Sequence, residues 1–217
     1  MNIKDLILNP DKFFRDLSSK EPSLIIPFLI VLAVSVLDAI YMYFRTLVMI
    51  NLFPPDIQSK ISIILAISLL FSLLSRFVVW LLIASLMHLI SAAFDGEGSF
   101  KRTLEFTGYG FLPNLIGLLI IIPISYYFLS NVQIPTLTME QLQDPTVVKK
   151  IISSIIPKTM LYTTFLIDIA VILWNFGLWT YGIRYARNLD LNRAFIVALV
   201  PTILLFVYQL FGIIKML

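Results

Sequence analysis

FKRTLEFTGYGFLPNLIG, residues Phe100 to Gly117, places Gly108, Gly110, Gly117 and Pro113 directly ahead of the apolar run LLIIIPISYYFL that ends at Leu129. Helix breakers at the mouth of a membrane-length helix mark a change in chain direction. Glycine permits backbone angles and close approaches that other residues resist. Proline suits the first turn of a helix, where its missing N–H would have no partner anyway. Upstream, Asp95-Gly96-Glu97-Gly98 is turn chemistry, and Ser99 is placed to cap a short helix starting at Phe100. On that helix Phe100, Leu104 and Phe111 are expected to face lipid or bundle, and Lys101 and Arg102 to face anionic headgroups. The segment therefore reads as a surface helix, a corner, and then a span. A re-entrant or broken helix is the rival reading, kept open by Pro123, Pro201 and Gly212.

The rest of the chain sets this corner in a membrane. Of 217 residues, 59% are hydrophobic and 13% charged, against roughly 25% charged in an ordinary soluble domain. Five stretches reach the roughly 20 apolar residues a helical span needs, at about 24–44, 62–93, 111–129, 159–182 and 194–214. The fold class is an all-α integral membrane protein with five transmembrane helices. The second stretch is too long for the hydrocarbon core and is expected to protrude at both ends. An odd number of spans puts the termini on opposite sides. Lys4, Lys12, Arg15, Lys20, Lys101, Arg102, Arg184, Arg187 and Arg193 share the N-terminal side, against Arg45, Lys60, Lys149, Lys150, Lys158 and Lys215 opposite. The positive-inside rule then makes the N-terminus cytoplasmic, in the cell membrane, and puts the C-terminus across it.

Two amphipathic segments flank the spans. Asn9-Pro10 is a cap and first-turn pair, and Ile3, Leu6, Ile7, Pro10, Phe13, Phe14 and Leu17 follow helical spacing. Residues 1–21 are expected to form an interfacial helix on the cytoplasmic face, and 22–217 the five-span domain. Packing beneath the bundle is favoured over lipid sensing, since anchoring needs only the apolar stripe. Asp144-Pro145 repeats the signal, and Val148, Ile151, Ile152 and Ile155 form a stripe opposite Lys149, Lys150 and Ser153. That helix is expected to end near Pro157.

The segment DGEGSFKRTLEFTGYGFLP resembles the hallmark of the Yip domain family of Ypt/Rab-interacting, Yip/Yif-type membrane proteins. Gly96, Gly98, Gly108, Tyr109, Gly110 and Pro113 carry the match. The NPDKFFRDL opening and five spans resemble prokaryotic members. The resemblance implies five transmembrane helices, a cytoplasmic N-terminus and no known enzymatic activity. Eukaryotic members act in vesicle trafficking, bind prenylated Rab-type GTPases and shape membranes. Their long N-terminal region with its Asp-…-Tyr-Gly-Pro motif has no counterpart here, so Rab-type GTPase binding is not carried over.

Ionisable groups within the spans are the remaining candidates. Asp38, Arg76 and Asp168 can reach similar depth, and Arg76 is expected to pair with Asp168, Asp38 or both. Thr164, Asp168 and Asn175 share one face of their helix. The cluster Asp38, Arg76, Asp168 and Asn175 reads first as a device fixing helix register, with the charges neutralised in a closed bundle. The alternative is a small ion, proton or solute transporter or channel. His88 alone cannot supply a histidine metal cluster, and the absence of cysteine excludes thiolate chemistry. No nucleophile–base set accompanies Ser75, Ser85 or Ser91. No catalytic residue, cofactor or metal is therefore assigned. The modest charge of +3 and lack of a basic stripe argue against nucleic acid. Membrane lipids, a protein partner or a second copy of the chain are the expected partners, and the expected role is a non-enzymatic organiser of membrane.

Overall fold

A computed structural model describes residues 3–130 and 132–216. Met1, Asn2, Asn131 and Leu217, which the division at residue 21 includes, and the Lys215 side chain counted in the charge bias lie outside the described residues. The described residues form helices α1 (Ile3–Leu8), α2 (Pro10–Ser18), α3 (Ile25–Ile50), α4 (Pro55–Ala92), α5 (Phe100–Tyr109), α6 (Leu112–Leu129), α7 (Met139–Gln143), α8 (Pro145–Ile155), α9 (Lys158–Ala186) and α10 (Leu191–Met216). Five stretches within these are long and apolar enough to cross a membrane. The chain is an integral membrane protein with an all-helical fold.

Local chemistry sets the helix boundaries. Asn9 caps α2 by accepting from the Lys12 N–H at 3.2 Å, with Pro10 opening the first turn. Ser99 caps α5 by accepting from the Arg102 N–H at 3.2 Å. Asp144 starts α8, accepting from the Thr146 N–H at 2.8 Å. The short α7 carries a capping box between Thr138 and Gln141, which the sequence reading did not anticipate. Helix α4 has 38 residues, about 57 Å at 1.5 Å per residue, so it outruns a hydrocarbon core of about 30 Å.

The spans close into a ring: α3 packs on α4 and α6, α6 on α9, α9 on α10, and α10 on α4. Helices at interaxial distances of 8–10 Å leave a central gap roughly 6 Å across when five surround one axis. Side chains must fill that gap or line it. At the end nearest the N-terminus they fill it: Leu6, Phe13, Phe14, Leu17, Trp80, Phe106, Tyr109, Phe111, Trp179 and Ile183 form one buried cluster. At the opposite end a smaller cluster joins Leu52, Leu137 and Ile155.

Several local expectations are corrected here. The N-terminal segment is two helices rather than one. Within it Phe13, Phe14 and Leu17, at 3%, 0% and 6% exposure, point into the protein, the anchoring arrangement rather than the lipid-sensing one. Helix α5 is not a surface helix either; it packs against α3, α4 and α9. Its Arg102 is buried rather than turned to headgroups. Pro123 and Pro201 sit inside the uninterrupted helices α6 and α10, so the broken-helix rival finds no break at either proline.

Candidate functional site

Glycines of the DGEG turn and of the α5–α6 joint do different jobs. Gly98 has φ +130°, a conformation L side chains rarely adopt, and a Cβ there would strike the Ala186 carbonyl. Gly96 lies against the Ser91 carbonyl. Arg187, only 5% exposed, locks this turn: its guanidinium donates to the Gly96 and Gly98 carbonyls and to Ser91 Oγ at 2.8 Å. The Glu97 N–H donates back to the Arg187 carbonyl at 2.9 Å. Burial lowers the Arg187 pKa from its ordinary value; a guanidinium starts so high that it stays charged.

At the joint, Gly108 and Gly110 keep right-handed helical backbone, and what they supply is closeness. A Cβ on Gly108 would meet Pro27 and Trp80, and one on Gly110 would overlap the Trp179 indole. Trp80 Nε1 donates to the Leu104 carbonyl at 2.9 Å and Trp179 Nε1 to the Thr107 carbonyl at 3.1 Å. Tyr109 is buried with its ring edge-on to Phe13 at 5.2 Å. Pro113 is buried in the first turn of α6.

The N-terminal helices are fastened to this end. Arg102 pairs with Glu105 at 2.7 Å and donates to the carbonyls of Leu17, Ser18 and Lys20, satisfying the C-terminal end of α2. Glu105 accepts from the Ser23 N–H at 3.1 Å. Asp11 accepts from Arg184 and from the Tyr185 hydroxyl, each at 2.8 Å. His88 is a packing residue, 3.0 Å from Thr103 Oγ1 and edge-on to Phe100. Phe14 stacks at 5.0 Å on Phe106. Sequence reasoning treated Arg184 and Arg187 only as topology charges and turned Arg102 toward headgroups. The i,i+3 spacing of Arg102 and Glu105 signalled their pair, but carbonyl targets carry no signature.

Between the spans lies a cavity of about 440 Å³ lined by Asp38, Arg76, Asp168 and Asn175 together. Arg76 donates both Nε, at 2.8 Å, and Nη2 to the same Asp38 oxygen, Oδ2. Asp168 is hydrogen-bonded by Gln209 instead. Asn175 donates to Asn114 Oδ1 at 2.8 Å, and its own Oδ1 is buried with no partner. The five-helix ring thus leaves a space beside its charges, lined by apolar side chains as well as these polar ones. Among the described residues no group of three or more His, Cys, Asp or Glu could hold a metal.

The Yip1 domain matches residues 4–213. The chain belongs to the Yip1 domain family. An uncharacterized protein of the archaeon Methanocaldococcus jannaschii is 53% identical over 127 residues, covering 58% of this chain and 90% of the relative. No solved structure matches. For this Yip1-domain chain the DGEG turn and the Gly108–Pro113 joint thus have a physical account: both let bulky groups approach the backbone, Arg187 at the turn and the Trp80 and Trp179 indoles at the joint.

Proposed function

We propose that this Yip1-domain protein is a non-enzymatic organiser of the membrane that presents a rigid platform to lipid and to a protein partner or a second copy of itself. The observation supporting this is how the N-terminal helices divide their surfaces. Leu6, Phe13, Phe14 and Leu17 bind α1 and α2 to the bundle, while Ile3, Ile7 and Leu8 remain exposed beside Lys4 and Lys12. Apolar side chains flanked by lysines suit an anionic membrane surface. In the proposed orientation this platform is cytoplasmic, as the lysine and arginine bias suggests. Binding of Rab-type GTPases is no part of the proposal.

The test is reconstitution of the full chain into vesicles containing anionic lipid, with size and shape followed as protein density rises. Remodelling is expected, and Ile3→Asp with Leu8→Asp should abolish it while leaving the melting temperature unchanged. Remodelling that survives those changes would overturn the reading. A second reading, transport of an ion or solute past Asp38, Arg76 and Asp168, draws on the cavity. The same vesicles, loaded with a pH or potassium gradient, separate the two: the organiser leaves the gradient intact, whereas a flux lost in Asp168→Asn would favour transport.

A further inference from the structure

The cavity has no part in the organiser reading, yet its chemistry is lopsided. At the level of Asp38 and Asp168 there are two carboxylates and one cation, Arg76, and Arg76 directs both of its donated hydrogen bonds to Asp38. Asp168 receives no hydrogen bond from Arg76, whose charge reaches it only through space, and its hydrogen-bond partner is the neutral amide of Gln209. The other charged liner, Arg45, is stacked on Tyr41. It lies seven residues beyond Asp38, about 10 Å along α3 toward the opposite end of the cavity from Phe111. Deeper in, Asn175 is 1% exposed and its Oδ1 accepts nothing. A buried acceptor without a donor is rare in folded proteins and calls for an occupant.

Asp168 and Asn175 stand seven residues apart on one face of α9, two turns, hence about 10 Å along the axis. No single small ion can touch both. Hydrogen bonds of about 2.8 Å at each end would leave roughly 5 Å between two donor groups on one molecule. The geometry points to a binding site for a short aliphatic amine, with its ammonium on Asp168 and a second donor, amine or hydroxyl, on Asn175. Diamines and amino alcohols of three to four carbons have that span. The volume of about 440 Å³ lies within the usual range for small-molecule sites. The Asp38–Arg76 pair forms the wall opposite and keeps a second carboxylate from competing for the ammonium.

The experiment uses the full chain in lipid nanodiscs, with binding followed by calorimetry and by thermal melting. The probes are 1,3-diaminopropane, propylamine as the analogue lacking the second donor, and potassium chloride as an ionic-strength control. Saturable binding of the diamine is expected, about tenfold tighter than propylamine, the worth of one good hydrogen bond. Asp168→Asn keeps shape and hydrogen-bonding capacity and should abolish binding of both amines. Asn175→Ala should reduce the diamine to the propylamine affinity while leaving propylamine unchanged. No saturable binding of either amine, or undiminished binding in Asp168→Asn, would overturn the assignment; equal affinity for the two amines would remove Asn175 from it.

Discussion

Replacing Gly110 by alanine would push a methyl group into the indole of Trp179, whose Nε1 and Cδ1 are the atoms nearest the new Cβ. Gly110 has φ −64° and ψ −10°, values any residue adopts, so the whole effect is steric. Trp179 cannot step aside cheaply: it is fully buried, edge-on to Phe111 at 5.7 Å, and donates to the Thr107 carbonyl at 3.1 Å. Overpacking of this kind costs about 1–3 kcal/mol. If the indole rotates away, a buried N–H loses its acceptor, at about 1–3 kcal/mol more. The expected destabilisation is therefore about 2–6 kcal/mol by these two contributions. Gly177→Ala is the control, since nothing lies within 4 Å of its position. In mid-helix it should be neutral or stabilising by up to about 1 kcal/mol. Unfolding in mixed micelles, followed by far-ultraviolet circular dichroism against mole fraction of denaturing detergent, reads both. A Trp179→Phe background, which narrows the ring system, should recover part of the loss, a coupling that identifies the contact. Equal stability of Gly110→Ala and Gly177→Ala would refute the close-approach account of the glycine motif.

Arg76→Leu should destabilise by about 3–5 kcal/mol by stranding the Asp38 carboxylate; Asp38→Leu with Arg76→Leu should recover much of it, and a silent single substitution in the same detergent titration would show that the pair is not coupled. Phe14→Ala empties a fully buried site against Phe106 and should cost about 3–5 kcal/mol, with residues 3–20 gaining protease sensitivity before the spans unfold; uniform sensitivity would contradict a separately fastened N-terminus. The Asp144 carboxylate, accepting from the Thr146 hydroxyl and N–H, is held below its ordinary pKa. A lowered folded-state pKa means its cap is fully effective above the ordinary carboxylate pKa and is lost as pH falls through the lowered one. Hydrogen exchange at the first turn of α8, corrected for intrinsic rates, should accelerate only in that acidic window, and the dependence should vanish in Asp144→Asn.

Span number and approximate limits were legible because a lipid solvent demands long apolar helices, and the stretch at about 159–182 meets helix α9 at Lys158–Ala186. Caps at Asn9, Ser99 and Asp144 were legible because their side-chain chemistry is local. What the sequence could not show is which apolar face meets protein and which meets lipid. Phe13 and Phe14 look the same whether buried against Phe106 and Tyr109 or seated among acyl chains. Arg187 was invisible as a clamp because its partners at Gly98 and Gly96 are backbone carbonyls 89 and 91 positions away. Asp38, Arg76 and Asp168 could be placed at similar depth by counting residues, but whether space remained beside them depended on ring closure. Asn114 and Gln209, ordinary polar residues in the sequence, gained meaning only from the side chains they face.

The two ends of the ring meet the same geometric problem in opposite ways. A ring of five helices has a hole, and at the N-terminal end that hole is stopped with bulk: α2 contributes Phe13 and Phe14, and α5 contributes Phe106 and Tyr109. The glycines at 108 and 110 let the Trp80 and Trp179 indoles close on the α5 backbone. Toward the other end, α8 caps only the edge, packing Ile155 with Leu52 and Leu137. Asp38, Arg76 and Asp168 line the space that remains. Polar side chains cannot be packed like the aromatics, because each buried group without a partner costs about 1–3 kcal/mol or more. A space wide enough for water or a polar guest removes that cost. Filling it should therefore do harm: Thr164→Phe, on the cavity face of α9, is expected to destabilise the protein if the space normally holds hydrated or ligated polar groups. It should stabilise it if the space is a dry packing defect. The sign of that one change, read in the same detergent titration, decides whether the cavity belongs to the architecture or is left over from it.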